Sequence, residues 1–170
     1  MSLASVDDVK RELRFFGLEA DDVDLGGYLD TASRVRRDVL GDSVFVYMYA
    51  KSTNETFVLP FKDFLNVIRV EVGGVSKNFS DVDTSTGEVT VTGLSVGDLV
   101  KIFFLPKQLS DFEVWYSVRL FLANRSIGVG SDLDSANLGK VEEDLKGLVQ
   151  RLCFKCFILG SGSLGFKNNQ

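Results

Sequence analysis

Val67-Ile68-Arg69-Val70-Glu71-Val72-Gly73-Gly74 turns the reading of this chain from helical to extended. Ile68, Val70 and Val72 alternate with Arg69 and Glu71, which is the period of a strand with one wet face. Gly73-Gly74 is a two-residue hairpin signal, because the tightest hairpin turns need positive φ at their central residues. Residues 75–79 are expected as the return strand. Upstream, Val44-Phe45-Val46-Tyr47-Met48-Tyr49 is strand-like and aromatic, Lys51-Ser52-Thr53-Asn54-Glu55 is a polar loop, and Thr56-Phe57-Val58-Leu59 should be extended ahead of Pro60. Downstream, Asp83-Thr84-Ser85-Thr86-Gly87 is a turn before the strand Glu88-Val89-Thr90-Val91-Thr92. Gly97-Asp98 precedes a last strand, Leu99-Val100-Lys101-Ile102-Phe103-Phe104-Leu105, ended by Pro106. The connections are too short for parallel crossovers, so residues 44–105 are expected to form a small antiparallel β-meander.

On both sides of this stretch the period is helical. Ser5-Val6-Asp7-Asp8 is a capping box with Asp in the place of Glu, and Val6, Val9, Leu13 and Phe16 then share a face that stops at Gly17. Leu25, Leu29, Ala32, Val35 and Val39 keep helical spacing across Gly26-Gly27, so residues 5–40 read as an N-terminal helical hairpin. After Pro106, Ser110-Asp111-Phe112-Glu113 reads as a second capping box. Its helix carries Val114, Trp115, Val118, Phe121 and Leu122 and should fade near Asn124. Ser131-Asp132-Leu133-Asp134 is expected to cap a fourth helix, in which Leu138, Val141, Leu145, Leu148 and Leu152 form an apolar seam. The class is α+β, with C-terminal helices over 110–159. One domain is expected over residues 1–159, followed by a Gly/Ser-rich flexible tail over 160–170.

Composition narrows the function classes. The chain has 170 residues, 45% hydrophobic and 25% charged, enough for a real core and against intrinsic disorder. It has no histidine, which removes Ser-His-Asp chemistry and histidine-ligated zinc. The net charge of −5 argues against nucleic-acid binding by the chain as a whole. The opening lacks a basic segment followed by an apolar one, so no secretory leader is expected, and no apolar run is long enough for a membrane span.

The motifs that resemble active centres do not hold together. Cys153-Phe154-Lys155-Cys156 has no second pair of ligands and reads as a pair of structural cysteines, with metal binding between subunits of an oligomer as the minor alternative. Gly160-Ser161-Gly162-Ser163-Leu164-Gly165 has the letters of a dinucleotide fingerprint but neither the strand before it nor the helix after it. The sequons at Asn54, Asn78 and Asn124 read as chance. Asp7, Asp8, Glu19, Asp21, Asp22 and Asp24 are read as a solvated acidic face, with a carboxylate-held Mg²⁺ or Ca²⁺ as the minor alternative. No catalytic, cofactor-binding or metal-binding residue is therefore assigned, and the chain is not expected to be an enzyme.

Fourteen Phe, four Tyr and one Trp are a heavy aromatic load for one small core. Surplus apolar surface marks an interface, so oligomerisation is expected. The candidate interface residues are Arg34, Arg36 and Arg37 near the end of the second helix, Phe103 on the last strand, Trp115, and Phe154 and Phe157 beside the C-terminal seam.

Val6-Asp7-Asp8-Val9-Lys10-Arg11-Glu12-Leu13, followed by Tyr28-Leu29-Asp30-Thr31-Ala32-Ser33-Arg34-Val35, is similar to the N-terminal helical hairpin of head–tail connector (adaptor) proteins of tailed viruses and proviruses. The middle of the chain resembles the small β-module inserted in many of them. The segments carrying that resemblance are Phe57-Val58-Leu59-Pro60, Val70-Glu71-Val72-Gly73-Gly74, Thr86-Gly87-Glu88-Val89-Thr90-Val91 and Gly97-Asp98-Leu99-Val100-Lys101-Ile102, in that order. The resemblance spans residues 5–125. It implies a structural virion protein, assembled in the host cytoplasm, whose copies form a ring between portal and tail. The implied partners are other copies of itself and the portal and tail proteins. DNA would pass through without sequence-specific binding, and no membrane or cofactor is implied. A tail-completion or baseplate protein and a small cytosolic protein-binding module are the alternative readings.

Overall fold

The computed structural model describes residues 2–129 and 132–158, the side chains of 127–129, 132–134 and 153–158 excepted. Its elements run α1 (Val6–Phe15), α2 (Asp22–Leu40), β1 (Val44–Tyr49), β2 (Asn54–Val58), β3 (Phe64–Val72), β4 (Val75–Lys77), β5 (Phe79–Asp83), β6 (Glu88–Thr92), β7 (Leu99–Pro106), α3 (Lys107–Val129) and α4 (Asp132–Ile158). The class is α+β, as the sequence implies: two helices, two small antiparallel sheets, two helices. The described chain divides into a helical unit, Met1–Val39 with Gln108–Leu152, and a β unit, Leu40–Lys107, with which the described residues 153–158 are grouped. In chain order the β unit is an insertion between two halves of the helical unit.

In the helical unit, α1 starts and stops where the sequence places it. The Asp8 amide donates to Ser5 Oγ at 3.2 Å and the Ser5 amide donates back to Asp8 Oδ2 at 3.0 Å. At the other end the Gly17 amide reaches the Arg14 carbonyl and the Leu18 amide reaches the Leu13 carbonyl, closing the last turn. Val9 and Leu13 are buried. α2 runs unbroken through Gly26 and Gly27, because Leu25 and Leu29 on either side are anchored in the core. Its buried face is Leu25, Leu29, Ala32, Ser33 and Arg36, whereas Val39 is exposed and Val35 half-buried. The expected apolar face is therefore rotated, and a charge stands inside it.

α3 begins directly after Pro106, one turn before the expected cap. Leu109 is fully buried and draws that first turn into the helix, so Ser110 lies inside it and caps nothing. α3 also continues past Asn124, whose side chain projects outward and donates to the Tyr28 hydroxyl at 2.7 Å. In α4, Val141, Leu145, Leu148 and Leu152 are buried, so the seam is core. The expected cap at Ser131, the tail over 160–170 and the side chains of Cys153 and Cys156 lie outside the described residues. No described helix is long and apolar enough to cross a membrane.

In the β unit every strand pairing is antiparallel, but the strands are sorted into two sheets and not one sequential run: β1-β7-β3-β4 and β2-β6-β5. β7 is central, pairing with β1 on one side and β3 on the other. The expected return strand is divided. β4 completes the hairpin in the first sheet, while β5, after Asn78, joins the second. Gly73 and Gly74 both adopt positive φ between the paired Val72 and Val75, which is the turn their sequence predicts.

β3 departs from simple alternation. Its register against β7 slips twice, leaving Leu65 and Ile68 as extra residues opposite no partner. The buried positions become Phe64, Val67 and Val70, spaced by three, and Ile68 turns outward. Phe61 and Phe64 then converge on Phe104, with ring centroids 5.7 and 6.1 Å away. The 83–87 turn is tied by Asp83, whose Oδ1 accepts from the Ser85 amide and hydroxyl and from the Thr86 amide. These bonds, the Ser85 hydroxyl first, hold the Asp83 carboxyl below its ordinary range.

Candidate functional site

The most unusual chemistry in the helical unit is a charge pair inside its core. α2 places Arg36 at a core position, 2% exposed, and α3 places Glu113 at another, 0% exposed. Arg36 Nε donates to Glu113 Oε1 at 2.7 Å. Glu113 Oε2 accepts from the Ser2 hydroxyl at 2.7 Å, the Leu3 amide at 2.6 Å and the Ala4 amide at 3.0 Å. One carboxylate thus binds α3 to α2 and to the segment ahead of α1. A buried ion is tolerated only when its lone pairs are satisfied this fully. Ser110 adds a bond from its hydroxyl to the Leu3 carbonyl at 3.4 Å.

This pair reassigns two residues. Glu113 is no cap ligand, and Arg36 does not face a partner, because its guanidinium is committed to Glu113. Arg34 and Arg37 are exposed on the outer side of α2, and Arg37 Nε donates to the Ser33 carbonyl at 3.3 Å. The signal for the pair was present in the sequence: Arg36 follows Leu29 and Ala32 at helical spacing, and Glu113 follows Leu109. Opposite charges on the core faces of two helices have few partners other than each other.

The outward surface of the helical unit is shaped by aromatic side chains. Phe15 at the end of α1 is 79% exposed. Beside it Phe16 meets Trp115 edge-on at 6.4 Å, and both line a groove with Asn137, Lys140 and Asp144 of α4. A second groove, almost wholly apolar, lies where α3 and α4 adjoin. There Phe112 stacks on Tyr116 at 5.6 Å, and Leu145 and Val149 form the opposite wall. Arg119 joins Glu142 across its rim at 3.0 Å. Of the candidate interface residues whose side chains are described, only Trp115 lines one of these grooves. The side chains of Phe154 and Phe157 lie outside the described residues. Phe15, the most exposed described aromatic residue, has no distinguishing sequence signal, because the face of α1 it departs from differs by one position.

Phe103 belongs to the β unit and is buried there. Arg69 lies 4.1 Å above its ring, Lys101 lies 4.6 Å away, and Phe45 packs beside it at 5.5 Å. Cations thus cover the ring that the sequence left as surplus. Phe104, on the other face of β7, is enclosed by Phe61 and Phe64, so both faces of the central strand are occupied.

The acidic run is dispersed among local tasks. Asp8 serves the cap and Arg11, and the Ser5 hydroxyl and amide, then Arg11, hold its carboxyl below the ordinary range. Asp22 pairs with Lys10, whose pKa that bond raises. Asp21 Oδ1 accepts from the Val23 amide at 3.1 Å. Among the described residues no three acidic or cysteine side chains converge as a metal would require.

No protein-family model matches the chain, and no curated protein matches it.

Proposed function

We propose that this chain is a structural virion protein, a head–tail connector (adaptor) whose copies form a ring between portal and tail. One observation carries the reading: the antiparallel β unit is inserted, in chain order, between the two halves of a four-helix unit. That is the organisation which the resemblance of residues 5–125 to connector proteins implies. The grooves beside Phe15, Trp115, Phe112 and Tyr116 give the helical unit apolar surface for a neighbouring copy. A ring needs such contacts to be heterologous, one face meeting a different face of the next subunit. A net charge of −5 suits a channel wall that lets DNA slide, because few phosphates are gripped. Portal and tail proteins are the partners, and the place of action is the virion, after assembly in the host cytoplasm.

Size-exclusion chromatography with light scattering, run across concentrations and with portal protein added, tests this. A closed ring, visible in negative stain alone or on the portal, is the expected result. A chain that stays monomeric even with portal present rules the connector reading out.

A further inference from the structure

The outer face of the four-stranded sheet is not the polar surface that such a face normally is. Residues directly opposite in an antiparallel pair share a face. Three rows therefore cross β1, β7 and β3: Tyr49–Leu99, Tyr47–Lys101–Glu71 and Phe45–Phe103–Arg69. All but Lys101, Glu71 and Arg69 are apolar or aromatic. The alternate residues Val46, Val100, Ile102 and Val70 are buried on the inner face. Tyr49 is 61% exposed and Leu99 42%, so the first row is open to solvent. Arg69 Nε bonds Glu71 Oε1 at 2.9 Å. Lys101 stands opposite Glu71 in the ladder, yet its ammonium lies over the Phe45 ring at 4.0 Å. Among the described residues it pairs with no carboxylate, which leaves this face with one cation in excess.

A complementary surface stands on the helical unit. Val23 at 82% and Phe15 at 79% are the two most exposed large apolar residues among those described. They bracket the turn from α1 into α2. Glu19, Asp21, Asp22 and Asp24 are exposed in the same stretch, and residues 15–24 include no lysine or arginine. Asp22 is paired with Lys10, and Asp21 accepts from the Val23 amide. Glu19 and Asp24 have no ion partner among the described residues. The corner is therefore apolar and carries uncommitted negative charge.

We propose that this corner of one copy docks on the outer sheet face of a second copy, with Val23 against Tyr49 and Leu99 and Asp24 beside the Lys101 ammonium. Charge and apolar character together select the occupant. A lone excess cation next to exposed apolar side chains is matched by a carboxylate next to an exposed apolar side chain, and Val23-Asp24 is that pair. A strand of nucleic acid would need several cations to neutralise its phosphates, and on this face only Lys101 is free of a carboxylate. The two surfaces belong to different units, so the contact is heterologous and repeats from copy to copy until a ring closes. The inference rests on the ring proposed above and names the contact that builds it.

The test is assembly of the full chain, alone and with portal protein, followed by size-exclusion chromatography with light scattering. Asp24→Lys and Lys101→Gln should each raise the concentration needed for half-assembly by about tenfold or more. Asp38→Lys, the same change of charge at another exposed position of α2, should leave it as it was. Lys101→Glu should also disperse the ring. It sets a like charge opposite Glu71, so its circular dichroism spectrum is checked first, and Lys101→Gln carries the test if it misfolds. An equimolar mixture of Lys101→Glu and Asp24→Lys should assemble again, because every contact between unlike copies then joins opposite charges. A ring that ignores both Asp24→Lys and Lys101→Gln, or a mixture that stays dispersed, overturns this contact and leaves the ring reading standing. A chain that stays monomeric even with portal overturns both. Single-stranded DNA held by the chain and released by Lys101→Gln, with assembly unchanged, gives the face to nucleic acid and overturns the proposal as well.

Discussion

The two units solve the problem of a unique core in opposite ways. The helical unit places a full charge pair at its centre, and the pair ties α2, α3 and the segment ahead of α1 together. The β unit encloses Phe61, Phe64, Ile102 and Phe104 in an apolar core and leaves polar work to its turns. Helices with apolar stripes can slide or rotate against one another at modest cost, and a buried pair penalises every arrangement but one. Strands already have their register fixed by ladder bonds and side-chain alternation, so the β unit needs no such device.

Breaking the pair should produce the largest effect. Glu113→Ala strands Arg36 in the core and frees the amides of Leu3 and Ala4, at an expected cost of about 3–5 kcal/mol. Trp115, the only tryptophan, reports on the helical unit by fluorescence. Its unfolding midpoint should fall while amide exchange of β7 holds. If both fall together, the units unfold as one and the contrast is thermodynamically empty. Ile102→Ala is the mirror experiment, removing packing from a fully buried site for about 2–5 kcal/mol, and it should accelerate exchange in the β unit first.

These two sites differ in how far the sequence disclosed them. Ile102 is legible as part of an apolar run between Gly97-Asp98 and Pro106, although its neighbours Phe103 and Phe104 are both buried and the strand does not alternate. Helix starts with local caps, such as Ser5, and the Gly73-Gly74 turn are legible because the partners are a few residues apart. The core position of Arg36 was half legible: its spacing after Leu29 and Ala32 marked it, but the residue that stabilises the charge lies 77 positions away. The outward turn of Ile68 was hidden by register slips that depend on β7. Division of the strands into two sheets likewise depends on pairings between distant segments. The exposed Phe15 could not be separated from its buried neighbours by spacing alone.

Smaller effects sharpen the comparison at the turns. Gly87 has φ of +86°, and a Cβ there would stand 3.2 Å from the Phe61 carbonyl oxygen. Gly87→Ala should cost about 1–2 kcal/mol by thermal melting of the β unit. Ser5→Ala removes the cap of α1 for about 1 kcal/mol, seen in the helical unit alone. Acid separates the same two places. The folded pKa values of Asp8 and Asp83 lie below the unfolded ones. Their contribution is therefore complete above about pH 4 and disappears as pH falls through the folded values. In Ser5→Ala the acid sensitivity of the helical unit should flatten, because Asp8 loses its chief partner, while that of the β unit stays as it was.

The Arg36–Glu113 pair also sets a timetable for a chain leaving the ribosome. The Glu113 carboxylate is synthesised 77 residues after the guanidinium it neutralises. At translation rates of about 5–20 residues per second, that is a delay of roughly 4–15 s. During it, α1 and α2 have emerged with no anion to receive Arg36, and residues 40–107 are made in their entirety. All seven strands of the two sheets are thus in the nascent chain before the helical unit holds its central pair.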